Sequence, residues 1–113
     1  MENCLFCNIV AGTIPSTKVY EDEMVYAFRD INPQAPVHIL IIPREHIGSM
    51  AEITPENSRA VAHIAEVIPQ IAKAEGLEDG FRVVSNVGKH GCQSVHHLHV
   101  HLLGGCQLSE RMS

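Results

Sequence analysis

Residues 95–105, VHHLHVHLLGG, decide the fold, because three histidines in this stretch alternate with aliphatic residues. Successive side chains of an extended strand point to opposite faces, so the histidines are expected on one face and the aliphatic side chains in a core behind it. A helix would scatter the imidazoles around its axis. The pattern therefore predicts a strand over residues 97–103, ended by two glycines. The histidines are His97, His99 and His101, and the aliphatic residues between and after them are Leu98, Val100 and Leu102.

Three imidazoles on one face suit three different roles. They can form a solvent-facing surface of the strand. Two of them can share a zinc ion, which imidazole nitrogens bind well. A central imidazole can also act as a nucleophile while its neighbours orient it and handle charge and protons. The alternation alone does not choose among these roles.

Length and composition narrow the class of protein. The 113 residues suffice for one domain, and we expect residues 1–113 to form it, with a polar tail from about residue 106. The net charge of -5 argues against nucleic acid polymers, which attract basic surfaces. No apolar run is long enough to span a membrane and no signal peptide is recognisable, so a cytoplasmic location without membrane contact is expected. In that compartment the four cysteines indicate thiols or metal ligands rather than disulfides.

The order of predicted elements indicates an α+β domain. A short N-terminal helix ends at Gly12, and residues 18–20 and 24–28 form a hairpin. Residues 38–42 read as a strand buried on both faces. A long helix begins at residues 54–56, contains Pro69 with a kink or break near residues 65–68, and ends at Gly76. Residues 81–87 give one more strand, so we expect a five-stranded, mostly antiparallel sheet.

Residues 97–103 resemble the His-φ-His-φ-His-φ-φ signature of the histidine triad family of nucleotide hydrolases and transferases, φ being an apolar residue. Four further stretches resemble the Hint branch of this family. The match covers residues 4 to 107, most of the chain, and implies the fold of that family. The four stretches are Gln93-Ser94, residues 30–38, residues 42–47, and Leu103-Gly104-Gly105.

The resemblance implies a hydrolase acting on purine nucleoside 5′-phosphoramidates, which releases AMP. His99 would attack the α-phosphorus and form a covalent nucleotidyl-histidine that water hydrolyses. Its Nδ1–H would donate a hydrogen bond to the backbone carbonyl of His97. His101 and Ser94 would hydrogen-bond the phosphoryl oxygens or the leaving group. His38, behind the triad, would tune its protonation.

The resemblance also implies a nucleoside pocket and a partner subunit. Asp30 would accept hydrogen bonds from the ribose hydroxyls. The purine base would lie among apolar side chains, and two polar residues would lie near the phosphate. A homodimer is expected, joined through the long helix and the strand at residues 81–87. The apolar residues are Phe6, Ile9, Phe28 and Ile31, and the polar ones are Asn86 and Gln93.

Three features depart from the eukaryotic Hint pattern. His96 stands before the triad where that pattern has a tyrosine, and by alternation it faces away from His97. The tail after residue 106 lacks the Trp-Pro-Pro ending that reaches a neighbouring subunit, which leaves the leaving group open. Cys4 and Cys7 form a CxxC pair, which in bacterial relatives resembles half of a structural zinc site. By position, His46 and His97 would complete it, because two thiolates and two imidazoles suit a closed tetrahedral zinc ion. No organic cofactor is implied.

Three functions from different classes remain at this point. The leading one is the phosphoramidase, with a dinucleoside polyphosphate hydrolase as the alternative enzyme. The second is a nucleotide-binding interaction module whose turnover is incidental. The third is a protein that binds metal through the triad itself.

Overall fold

Five segments rich in β-branched and aromatic residues pair into one sheet in the computed structural model, which describes residues 3–111. The strand order is β1-β2-β3-β5-β4, and every neighbouring pair is antiparallel. The predicted α+β fold, with a short N-terminal helix and one long helix, is confirmed. The elements are α1 Leu5–Ala11, β1 Lys18–Glu21, β2 Val25–Arg29, β3 Val37–Pro43, a 3₁₀ turn Met50–Glu52, α2 Ser58–Ala74, β4 Phe81–Val84 and β5 Val100–Gly104.

The two helices cover opposite faces of the sheet. The buried side of α2, which includes Ile64 and Val67, packs on the face that carries Ile41 and Leu102. The other face packs against α1 through side chains that include Phe6. The central strand β3 is therefore buried on both faces, as its unbroken apolar sequence predicts. None of the helices in residues 3–111 has the length and hydropathy needed to cross a bilayer.

The histidines and the aliphatic residues of the deciding stretch do lie on opposite sides. Leu98 packs with Ile47 and Ala60 beneath the start of α2. The rings of His97 and His99 instead meet Phe6 of α1, with ring centroids 6.0 and 5.0 Å apart. The predicted separation of the two faces is thus confirmed.

Two predicted strand limits are wrong. β5 begins at Val100, so His97 and His99 precede the strand. The backbone N–H of Leu98 donates to the carbonyl of Ile47, 2.6 Å away, and this loop contact takes the place of a sheet ladder. β4 ends at Val84, three residues earlier than predicted, where the chain leaves for the loop that precedes the histidines.

The start of the long helix is also misplaced by the sequence. Thr54 and Asn57 close a separate turn, in which Thr54 N–H donates to Asn57 Oδ1 at 2.7 Å and Asn57 N–H donates to Thr54 Oγ1 at 3.3 Å. The helix itself begins at Ser58 and runs through Pro69 to Ala74, so the alternative of a break at the proline is excluded.

The hairpin of β1 and β2 is joined to α2 through a partly buried ion pair between Asp22 and His63. Asp22 Oδ1 accepts the backbone N–H groups of Met24 and Val25 and thereby holds the turn. Its other oxygen lies 2.6 Å from Nε2 of His63 on α2. The bond to Asp22 raises the pKa of His63 above its ordinary value, although partial burial opposes the change.

We predict that His63→Gln destabilises the protein more at pH 6 than at pH 9. A raised pKa in the folded state means that the stabilisation is complete below the unfolded pKa of about 6.5 and is lost as pH rises through the folded pKa. Urea unfolding should show a loss of roughly 1 kcal/mol at pH 6 and a smaller loss at pH 9. The matched control is His90→Gln, because His90 is exposed. Equal losses from His63→Gln at the two pH values would contradict the prediction.

Candidate active site

The central histidine is held in one tautomer. His99 is 3% exposed, and its Nδ1 lies 2.7 Å from the backbone carbonyl of His97. A carbonyl oxygen only accepts, so the proton must be on Nδ1. Nε2 of the neutral ring therefore carries the lone pair. The ring of His99 stands edge-on to Phe6. The centroids of the His99 and His101 rings are 5.1 Å apart.

A second chain of hydrogen bonds fixes the tautomer of His101. The backbone N–H of Gln34 donates to Nδ1 of His38 at 3.0 Å, so the proton of neutral His38 is on Nε2. That Nε2 lies 2.9 Å from Nδ1 of His101 and 3.5 Å from Oδ2 of Asp30. When His38 donates to His101, the His101 proton is on Nε2. His101 then offers an N–H donor beside His99.

Both histidines of this chain of hydrogen bonds, His38 and His101, favour the neutral form. Burial lowers the pKa of His38, and the carboxylate of Asp30 only partly opposes this effect. Burial also lowers the pKa of His101, to about 4, with a further contribution from the charges that His99 and His38 would carry. At neutral pH the pair is therefore a chain of uncharged donors and acceptors.

Cys4, Cys7, His46 and His97 bring one ligand atom each to within 4.8 Å of one another. Sγ of Cys4 lies 3.3 Å from Nδ1 of His97, and Sγ of Cys7 lies 3.3 Å from Nδ1 of His46 and 3.5 Å from that of His97. These separations match the edges of a tetrahedron with metal–sulfur bonds of about 2.3 Å and metal–nitrogen bonds of about 2.0 Å. The cluster could therefore hold a metal ion.

The tautomer of His97 supports this interpretation of the cluster. Its Nε2 lies 2.9 Å from the carbonyl of Pro43 and must donate to it. Nδ1 therefore carries no proton when the ring is neutral, and it faces both sulfur atoms. A ligating histidine in proteins commonly donates its other N–H to a carbonyl in this way.

The loop between β4 and β5 carries the predicted phosphate-side residues. The resemblance places Gln93 near the phosphate. In the structure its side chain makes hydrogen bonds to backbone groups of the protein. Its Nε2 donates to the carbonyls of Gly48 and Val95 at 2.7 and 2.9 Å, and its Oε1 accepts the N–H of Gly88 at 3.0 Å. Gln93 thus links two loops through hydrogen bonds. The next residue, Ser94, is exposed.

Ser94 also borders a cavity of about 570 Å³. Its lining includes Leu5, His46 and His96. Cys4 of the cysteine cluster also lines it, whereas His99 and His101 do not. Asn86 follows the end of β4 and is partly buried.

The residues predicted to line the base pocket differ in burial. Phe6, Ile9 and Phe28 are buried in one cluster on the α1 face of the sheet. Ile31 lies outside that cluster, 90% exposed in the loop after β2. Asp30 is partly exposed, and its Oδ1 accepts the backbone N–H of Asn32 at 2.7 Å, which leaves Oδ2 toward His38.

Three contacts of the site have no sequence signal. The N–H of Gln34 and the carbonyl of Pro43 act through the backbone, which every residue possesses. The hydroxyl of Ser85 donates to the carbonyl of His99 at 3.1 Å. A serine at the end of a strand is ordinary, and only the register of β4 with β5 reveals what it contacts.

Comparison with known proteins identifies the family to which this chain belongs. A family model described as HIT domain matches residues 11–108. The chain belongs to the HIT domain family. Its relatives include the purine nucleoside phosphoramidase of Escherichia coli K12, 44% identical over 113 residues, which span 99% of this chain and 95% of that protein.

Two further members of the HIT domain family bear on the site. The 14 kDa zinc-binding protein of Zea mays is 54% identical over 107 residues, which span 93% of this chain and 84% of that protein. A crystal structure of a HIT family hydrolase from Legionella pneumophila Philadelphia 1 is 50% identical and superposes with a TM-score of 0.93, covering 96% of this chain and 97% of that one. The fold of this chain is therefore that of a HIT domain.

We predict that Gln93→Leu destabilises the protein by about 1–3 kcal/mol, because it leaves two carbonyls and one N–H of the loops without their partner. Urea unfolding would measure the loss. Gln107→Leu is the matched control and should change stability by less than about 0.5 kcal/mol, since Gln107 is exposed in the tail. Equal effects of the two substitutions would show that Gln93 does not clip the loops together.

Proposed function

We propose that this HIT domain protein hydrolyses purine nucleoside 5′-phosphoramidates through a covalent nucleotidyl intermediate on His99. The observation that carries the proposal is the 2.7 Å contact of His99 Nδ1 with the carbonyl of His97. It leaves a lone pair on Nε2 of a buried imidazole, which is what a nucleophile at neutral pH requires. The name of the E. coli relative supports the choice of substrate.

In the first chemical step, the lone pair of His99 Nε2 forms a bond to the α-phosphorus while the P–N bond of the substrate breaks. The departing nitrogen keeps the electron pair of that bond, takes up one proton from solvent and leaves as an amine. The Nε2–H of His101 and the hydroxyl of Ser94 are the donors available for the phosphoryl oxygens and the departing nitrogen. Donors already in place stabilise charge that develops on those atoms. In the second step water attacks the phosphorus and gives up one proton to solvent, the bond between phosphorus and His99 Nε2 breaks, AMP leaves, and the neutral imidazole is regenerated.

The two ends of the substrate would lie on opposite sides of His99. Asp30 would bind the ribose hydroxyls, and the apolar cluster with Phe6 and Phe28 would take the purine. The leaving group would extend toward Ser94.

His99→Asn should abolish turnover while nucleotide binding persists. We expect kcat for adenosine 5′-phosphoramidate to fall at least about 1,000-fold, because the attacking atom is removed. AMP affinity, measured by calorimetry, should change less than about threefold, which is under 1 kcal/mol. Rapid acid quenching of the unchanged protein with labelled substrate should trap radioactivity on the protein, and the variant should trap none.

His90→Asn is the matched control, since His90 is exposed in the loop before the triad. Full activity of His99→Asn would refute the mechanism. Faster turnover of a dinucleoside polyphosphate than of the phosphoramidate would favour the alternative enzyme. Tight AMP binding with background turnover of both substrates would favour a nucleotide-binding module.

We further propose that Cys4, Cys7, His46 and His97 hold a structural zinc ion. Two thiolates and two imidazoles fill four positions, which leaves none for substrate, and the ion would supply stability rather than chemistry. The arrangement of the four ligand atoms and the tautomer of His97 support the proposal. The name of the Zea mays relative agrees with it.

Elemental analysis of purified protein should find about one zinc ion per chain. Cys7→Ser should lower the zinc content and reduce the midpoint of thermal unfolding by about 10 °C or more, since metal binding adds to folding free energy. Cys92→Ser is the control, because Cys92 is exposed and lies outside the cluster. Stoichiometric zinc in Cys7→Ser would refute the site.

A further inference from the structure

The nucleophile lies just outside the regular sheet. The pairing of β3 with β5 ends at Ile41 opposite Val100, and that of β4 with β5 ends at Val84 opposite His101. His99 therefore precedes the paired part of its own strand. Its position depends on individual contacts rather than on a continuous ladder.

One of these contacts comes from the first residue beyond β4. Ser85 follows Val84, and its hydroxyl donates to the backbone carbonyl of His99 at 3.1 Å. The side chain thus bridges β4 to the chain of the nucleophile at the point where the strand assignment of β4 stops. A neighbouring loop contact, from the N–H of Leu98 to the carbonyl of Ile47, holds the residue before His99.

We propose that Ser85 is a positioning residue for His99, an inference that rests on the proposed function of that histidine. The carbonyl of His99 belongs to the peptide plane that joins His99 to Val100. Fixing this plane fixes the direction in which the Cα–Cβ bond of His99 points, and therefore the aim of Nε2. The Ser85 hydroxyl bonds to the backbone of His99 rather than to its imidazole, so it would act on the reaction through His99.

The geometry of the nucleophile makes this anchoring matter for rate. The bond from His99 Nδ1 to the His97 carbonyl closes a short loop within the same segment and sets the ring relative to the local backbone. It does not set that backbone relative to β4 or to Asp30, which follows β2. The Ser85 hydroxyl supplies a link of this second kind. Small misplacements of a reacting atom are enough to slow an enzyme strongly.

The test is Ser85→Ala, assayed with adenosine 5′-phosphoramidate. Loss of one hydrogen bond that acts on the attacking atom should lower kcat roughly 3- to 10-fold. KM and AMP affinity should stay unchanged, because the substitution leaves the nucleotide pocket intact. Ser85→Thr keeps the hydroxyl and should restore kcat.

Thr13→Ala is the matched control. The Thr13 hydroxyl donates to the carbonyl of Asn8 at 3.0 Å, so this substitution removes a hydroxyl-to-carbonyl bond of the same kind at the end of α1. It should leave kcat unchanged. An equal fall of kcat in Thr13→Ala, or no rescue by Ser85→Thr, would overturn the positioning role.

A spectroscopic arm does not depend on turnover. The Nδ1–H proton of His99, hydrogen-bonded to a carbonyl, should give a downfield resonance in the proton NMR spectrum. Its assignment would come from its loss in His99→Asn. Ser85→Ala should shift this resonance or broaden it by faster exchange, and Thr13→Ala should not. An unchanged resonance together with an unchanged kcat would overturn the proposal.

The two arms also separate this proposal from the proposed function. If the unchanged protein fails to turn over any phosphoramidate, the proposed function has failed, and the resonance alone decides whether Ser85 positions His99. If turnover is present but Ser85→Ala changes neither kcat nor the resonance, only the role of Ser85 has failed. A parallel loss of AMP affinity and thermal stability in Ser85→Ala would indicate general structural damage, which also overturns the proposal.

Discussion

The hydrogen bond from His99 Nδ1 to the carbonyl of His97 is the constraint on which the rest of the site depends. An imidazole has two nitrogens, and free in water either can carry the proton. Burial of the ring against Phe6 removes water as a competing partner, so the carbonyl alone chooses the tautomer. The sheet, the two helices and the loop before the triad all serve to keep that carbonyl in place.

His97 connects this constraint to the cysteine cluster. Its carbonyl faces His99, its Nδ1 faces the two sulfur atoms, and its Nε2 donates to Pro43 at the end of β3. The residue is fully buried, and every polar atom of its ring has a protein partner. Any ion held by the cluster would therefore stiffen the same residue whose backbone carbonyl bonds to His99. His97 therefore belongs to both arrangements, through its ring nitrogen Nδ1 at the cysteine cluster and through its backbone carbonyl at His99.

The sequence was a good guide to which side chains share a face and a poor guide to where regular structure stops. Alternation placed the three histidines opposite Leu98 correctly, because a chain that is nearly extended keeps that alternation even where it is not paired. It could not show that Leu98 bonds to the loop at Ile47, a partner 51 positions away in the chain. The same limit applies to Thr54, whose side chain caps a turn instead of the helix.

Among the site residues, the sequence indicated chemistry better than contacts. The resemblance places Gln93 at the phosphate, but its side chain is committed to three groups of the protein, so its neighbour Ser94 is the residue left exposed. Ile31 lies exposed in the loop after β2, and its contact with the base stays a prediction. These contacts and this exposure follow from the local backbone, which the residue types alone do not specify.

The partners of His38 also bear on whether the triad itself is a metal site. Asp30, His38 and His101 bring ligand atoms within 4.8 Å, a set that suits a divalent cation by composition. However, the N–H of Gln34 occupies Nδ1 of His38 and places its proton on Nε2, the atom that faces the other two residues. Ligation there would require moving that proton and leaving the Gln34 N–H without its acceptor, which costs about 1–3 kcal/mol. The cysteine cluster carries no such obstacle, because its His97 presents a nitrogen without a proton. Hydrogen bonds to the backbone thus leave a proton on the nitrogen of His38 that faces its cluster, and none on the nitrogen of neutral His97 that faces the cysteines.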